Sequence, residues 1–129
     1  MTQENKELLI KDLCARLPYE VKFPMMTFDG VIKPYILYSM SKDGKCYASE
    51  GGYYPYIEDI KPYLFPLSSM TEEQRQELES LMEVTIVPVW GEILSPTPEY
   101  YDWLNKNHFD YRGLIPMGLA IDATGLNIY

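Results

Sequence analysis

The dipeptide Asp29-Gly30, set between the runs "VKFPMMTF" and "VIKPYILYSM", constrains this fold more than any other feature of the chain. Both flanks are rich in β-branched and aromatic residues, and Asp-Gly readily takes the positive φ angles of a tight hairpin turn. The stretch therefore predicts two antiparallel strands. Pro24 and Pro34 lack the N–H that a central strand must donate, which places them at sheet edges or bulges. A second turn at "SKDGK" leads into a further β-like segment, "CYASE".

Helices are expected on either side of this β-rich region. Residues 4–16 repeat leucine at four-residue spacing (Leu9, Leu13, Leu17), with Ile10 and Cys14 widening the apolar stripe, Thr2 as cap and Pro18 as stop. Residues 50–69, "EGGYYPYIEDIKPYLFPLSS", show no helical period and read as a loop, a short strand near 56–60, and an extended run. A second helix follows, with Thr71 and Gln74, or Ser69 and Glu72, as a capping box and Leu78, Leu81 and Met82 as its buried stripe. "VTIVPVWGEI", residues 84–93, reads as one strand with Pro88 at an edge or bulge. The third helix starts at Thr97 and Pro98 and turns Tyr100, Trp103, Leu104 and Asn107 to one face. A short strand at 119–122 and a loose tail end the chain. The echo of "IKPYIL" (32–37) in "IKPYLF" (60–65) does not extend beyond itself, so it reads as two extended edges, not a duplication.

These elements predict an α+β fold in one domain, residues 1–129: an N-terminal helix, a small twisted antiparallel sheet or partial SH3-like barrel, and two further helices packed on it. With 47% hydrophobic residues the chain can bury one core. It lacks an apolar run of membrane-spanning length, and "MTQENKELL" is polar and acidic where a secretory signal would be basic and then apolar. A cytoplasmic protein with no membrane partner is the expectation. Cys14 and Cys46 have no CxxC spacing and there is one histidine, so neither a metal nor another cofactor is expected.

The net charge of -8 is unevenly spread. Residues 1–65 carry nine acids against eight bases, whereas residues 66–110 carry nine acids against Arg75 and Lys106 alone. Direct nucleic-acid binding, which needs basic side chains near phosphates, is disfavoured. Glu72, Glu73, Glu77 and Glu79 form either a solvated helix face or an acidic surface for a basic partner.

Two clusters are candidates for chemistry or binding. His108, two residues from Asp110 and four from Arg112, has the makings of a general base held by an acid. No nucleophile turn or third ligand accompanies it, so the mechanical reading is preferred: His108, Phe109, Asp110, Arg112 and Gly113 lock the return from the third helix. In that lock Phe109 docks in the core, Asp110 caps the next turn, Arg112 ties down carbonyls or pairs with Asp110 or Asp102, and Gly113 supplies a conformation other residues avoid. The second cluster is Tyr53, Tyr54 and Tyr56 in "GGYYPY", part of a chain with twelve tyrosines. Tyrosine offers broad contact at low entropic cost, and binding surfaces favour it. No basic residue stands among these rings for stacking on single-stranded bases.

Three blocks, "KELLIKDLCARLPYEVK" (6–22), "IKPYLFPLSSMTEEQ" (60–74) and "DWLNKNHFDYRGLIPMGLAI" (102–121), cover about 40% of the chain. In them it resembles a group of small proteins from gut anaerobic bacteria, and the accessory proteins found around prophages and other mobile elements. The resemblance carries no assigned activity and no catalytic residues, and implies an accessory or interaction role. The family pattern after "LPY" has glycine where this chain has Glu20, which argues against a positive-φ turn there.

Three functions follow as expectations. The first is a noncatalytic interaction protein using the tyrosine loop, the acidic helix or both, with a protein partner. The second is an acidic mimic of nucleic acid that blocks a DNA-binding host protein. The third is a small enzyme with His108 at its site.

Overall fold

The computed structural model describes residues 1–41, 45–48 and 55–129. Its fold is α+β in the expected order, an N-terminal helix, then strands, then further helices. Helix α1 (Gln3–Arg16) starts where Thr2 accepts a hydrogen bond from the Asn5 N–H and ends as Leu17, Pro18 and Tyr19 tighten into a 3-10 turn. Its buried face, Leu9 and Leu13, packs with Val21, Phe23, Leu37 and Leu114 in the main core.

Glu20, next in the chain, takes φ 57 and ψ 48, so the left-handed turn that its side chain argues against is formed. The chain must reverse here from α1 into the first sheet, and tertiary packing overrides the local preference.

Strands β1 (Lys22–Met26) and β2 (Ile32–Met40) form the hairpin expected around Asp29-Gly30, with Gly30 at φ 77. Pro24 and Pro34 face each other directly across it. Backbone bonds at Thr27–Val31 and Leu37–Val21 set the alternation, which makes Pro24–Pro34 a non-hydrogen-bonded pair, so neither ring interrupts the ladder between these strands. Pro24 lies on the outer strand, and Pro34 lies beyond the reach of β3 (Cys46–Ala48), which pairs with Leu37, Ser39 and Met40. Ser41 donates to the Lys45 carbonyl at 2.8 Å to close the second hairpin.

The strand expected near 56–60 is instead a 3-10 turn, Ile57–Asp59, preceded by a single bridge from Tyr56 to Lys45. The strand comes later, as β4 (Tyr63–Pro66), and it is central. It pairs in parallel with β7 (Phe109–Asp110) on one side and β8 (Ile121–Asp122) on the other. The small antiparallel sheet or partial SH3-like barrel is therefore divided, among the described residues, into three separate sheets, one of them parallel. Parallel partners must be brought from far along the chain by a crossover, and no local pattern announces them. The echo "IKPYLF" accordingly runs into a sheet centre, not an edge.

Between β4 and β7 lie α2 (Glu72–Glu79), β5 (Met82–Val87), β6 (Gly91–Pro96) and α3 (Pro98–Lys106). Thr71 and Gln74 make the reciprocal capping box of α2, and Thr97 caps α3 through the Tyr100 N–H. A second cluster, Leu78, Leu104 and Phe109, joins these helices to β4 and β7. No helix among the described residues is long and apolar enough to cross a membrane.

Candidate functional site

Where α3 ends, the Asn107 N–H bonds to Trp103 O, and His108 takes φ 62, the left-handed position that commonly terminates a helix. This turn sends the chain into β7 with the His108 carbonyl accepting from the Phe65 N–H at 2.8 Å. The imidazole is buried and stacks on the Tyr129 ring, centroids 3.6 Å apart and planes 11° apart. Its Nδ1 has no hydrogen-bond partner among the described residues. Burial, helped by the Arg16 and Lys22 charges, lowers its pKa from 6.5 to about 4, so the ring is neutral at pH 7.

Tyr129 belongs to the tail expected to be loose, but that tail is tied down. Its hydroxyl donates to Tyr63 O and accepts from the Lys22 N–H, both at 2.8 Å, while the Lys22 ammonium donates to Ile128 O. A cavity of about 530 Å³ opens beside this corner, lined by Phe65, Thr71, Lys106, His108, Thr124 and Tyr129 among others.

The rest of the 108–113 segment is fastened by charge. Phe109 is buried and stacks on Trp103. Both Asp110 oxygens accept backbone N–H bonds at 2.9 Å, from Leu114 and Ile115, and Gly113 takes φ 75 inside that turn. Arg112 pairs with neither Asp110 nor Asp102. Its Nη1 reaches Asp12 on α1 at 3.0 Å and the Tyr111 hydroxyl at 2.6 Å. The carbonyl is tied instead by Arg16, whose Nη2 donates to Phe109 O at 2.6 Å while its Nε and Nη2 hold Asp12. The sequence signal missed here is Asp12 with Arg16, an i,i+4 pair lying on the buried side of an amphipathic helix.

Tyr53 and Tyr54 lie outside the described residues, and Tyr56 is exposed. Glu72, Glu73, Glu77 and Glu79 are all exposed on α2. At about 100° per residue they fan across roughly 160° of the helix surface, opposite Leu78. Among the described residues, no group of three or more acidic, histidine or cysteine side chains could hold a metal.

Sequence reasoning missed a more conspicuous feature. Residues 84–93 are not one strand but parts of two, β5 and β6, which reverse between Val87 and Gly91. Pro88 starts the turn, the Trp90 N–H bonds back to Val87 O at 3.1 Å, and Gly91 takes the φ of 75 that redirects the chain. Among the described residues the two strands form a sheet of their own. On β5, Met82, Val84 and Ile86 alternate with Glu83 and Thr85, and the register places Leu94 opposite Val84 and Glu92 opposite Ile86. Such alternation marks a strand with one buried face. Here that face meets water: Val84 is 54% exposed, Ile86 75% and Leu94 60%, and Val89 and Trp90 at the turn are 84% and 77% exposed.

At the root of the hairpin the same face runs into a groove of about 480 Å³. Met82 and Leu94 form one wall, Leu67, Met70, Leu78 and Tyr100 the others, and Arg75 and Glu79 its charged margin. Groove and strand face form one apolar strip. No family model matches this chain, and no curated protein or solved structure shows a significant similarity to it.

Proposed function

We propose that this chain is a noncatalytic interaction protein whose binding element is the β5–β6 hairpin with the groove at its root. The observation that carries the reading is the amphipathic strand β5 with its apolar side turned to solvent. A lone two-stranded hairpin is marginal in water, and natural proteins rarely leave a large contiguous apolar patch uncovered unless something binds it. Val84, Ile86 and Leu94 on this face and Val89 and Trp90 at the turn are all more than half exposed, an uncommon concentration of large apolar side chains on one hairpin. The proposed contact lies on a different element from the tyrosine loop, with helix α2 supplying its charged margin, Arg75 and Glu79. An accessory role of the kind implied by the resemblance to proteins of mobile elements agrees with such a surface.

The reading is tested by selecting a displayed random-peptide library against the protein and against its Ile86→Asp variant. Binders enriched on the first and lost on the second are expected. Enrichment that is equal on both, or absent, refutes the hairpin as the binding element.

A further inference from the structure

The strip is apolar along its length and bordered by Glu79 and Glu92, with Arg75 as the one base among the residues that line the groove, and that combination specifies its occupant. Glu79 lines the groove beside Arg75, and Glu92 shares the exposed face with Val84, Ile86 and Leu94. Across residues 66–110 the only bases are Arg75 and Lys106. We infer that the strip docks an amphipathic, net-basic segment of another protein, its apolar side chains against Leu94, Ile86 and the groove and its lysines or arginines against these glutamates.

This inference rests on the interaction reading and narrows it. Charge decides between the possible occupants. A second copy of this chain would bring net charge -8 against the same glutamates, and like charges across an interface oppose association. An acidic segment would meet the same repulsion. A basic one gains attraction at the rim while burying the apolar centre, the division of labour that gives interfaces both affinity and orientation.

Three labelled peptides of equal length test it by fluorescence anisotropy: a Leu/Lys amphipath, its Leu/Glu counterpart and a Leu/Ser counterpart. The Leu/Lys peptide is expected to bind at least about tenfold more tightly than the other two, and to weaken as salt is raised. Ile86→Asp distinguishes docking from bulk attraction, because it adds a negative charge while spoiling the apolar face. The expected result is a loss of about tenfold or more, whereas simple electrostatic attraction would strengthen binding. Ile86 is largely exposed, so this variant keeps its fold, which circular dichroism checks. The double reversal Glu79→Lys with Glu92→Lys is expected to remove most of the preference for the Leu/Lys peptide.

Tighter binding of the Leu/Glu or Leu/Ser peptide, lost in Ile86→Asp, overturns the basic occupant and leaves the interaction reading standing. Sedimentation showing a dimer that Ile86→Asp breaks does the same and makes the occupant a second copy. Failure of all three peptides overturns the inference, and the library selection then decides the broader reading separately.

Discussion

Asp12→Ala is expected to be among the most damaging single substitutions in this protein, although it touches no part of the proposed binding strip. Asp12 and Arg16 are both fully buried, with Asp12 Oδ2 at 2.9 Å from Arg16 Nε and Oδ1 at 3.0 Å from Arg112 Nη1. Among the described residues Arg16 Nη1 already lacks a hydrogen-bond partner. Removing the carboxylate leaves one guanidinium uncompensated in the core and a second at its edge. Breaking a buried pair from one side typically costs about 3–5 kcal/mol, a large part of the roughly 5–15 kcal/mol that holds a domain together. Urea unfolding followed by tryptophan fluorescence measures it. With a slope of about 1–3 kcal/mol per molar, the midpoint falls by roughly 2 M. The double variant Asp12→Leu with Arg16→Met removes both charges and is expected to recover much of the loss. A cost below about 1 kcal/mol for Asp12→Ala, or a double variant as damaged as the summed singles, would refute the idea that this cluster holds the 108–113 segment against α1.

Acid should weaken the His108–Tyr129 corner. The folded-state pKa of about 4 lies below the ordinary 6.5, so the unfolded chain takes up the proton first, and the contribution present above pH 6.5 is lost as pH falls toward 4. Between pH 7 and 5 this amounts to at most about 2 kcal/mol, and chemical denaturation of His108→Phe, which keeps an aromatic ring against Tyr129, should show a correspondingly shallower pH slope. Equal slopes would mean that His108 is not the titrating group. Glu20→Gly should stabilise the protein by roughly 0.5–1 kcal/mol, because glycine accepts the left-handed angles at little cost while giving back some chain entropy. Thermal melting reads the gain, and a lower melting temperature would show that the Glu20 side chain earns its place.

Local chemistry was legible in the sequence and long-range pairing was not. The caps Thr2, Thr71 and Thr97, the Asp29-Gly30 hairpin and the order of helices and strands all depend on residues within a few positions of each other. The parallel strands around β4 depend on partners about 45 to 60 residues away, which leave no local trace. Arg112 shows the same limit: its partner is not a neighbouring aspartate but Asp12, 100 residues upstream. The hairpin β5–β6 was legible in principle, since the alternation from Met82 to Ile86 is clean and Pro88 suits a turn. Reading Pro88 as an edge or bulge of a single strand hides it. The likeness of His108 and Asp110 to catalytic partners comes from sequence proximity. In the fold the histidine stacks on Tyr129, while the aspartate caps the turn at Leu114 and Ile115.

The central claim is that the apolar face of β5–β6 and the groove beneath it form a docking surface for a basic amphipathic segment. Titration of the isotopically labelled protein with the Leu/Lys peptide, followed by amide chemical shifts, tests it most directly. The account predicts saturable shifts concentrated on residues 82–94 and the groove residues Met70, Leu78 and Tyr100, and their disappearance in Ile86→Asp. Shifts centred on Glu72, Glu73 and Glu77 with the hairpin silent, or shifts that persist in Ile86→Asp, would contradict it.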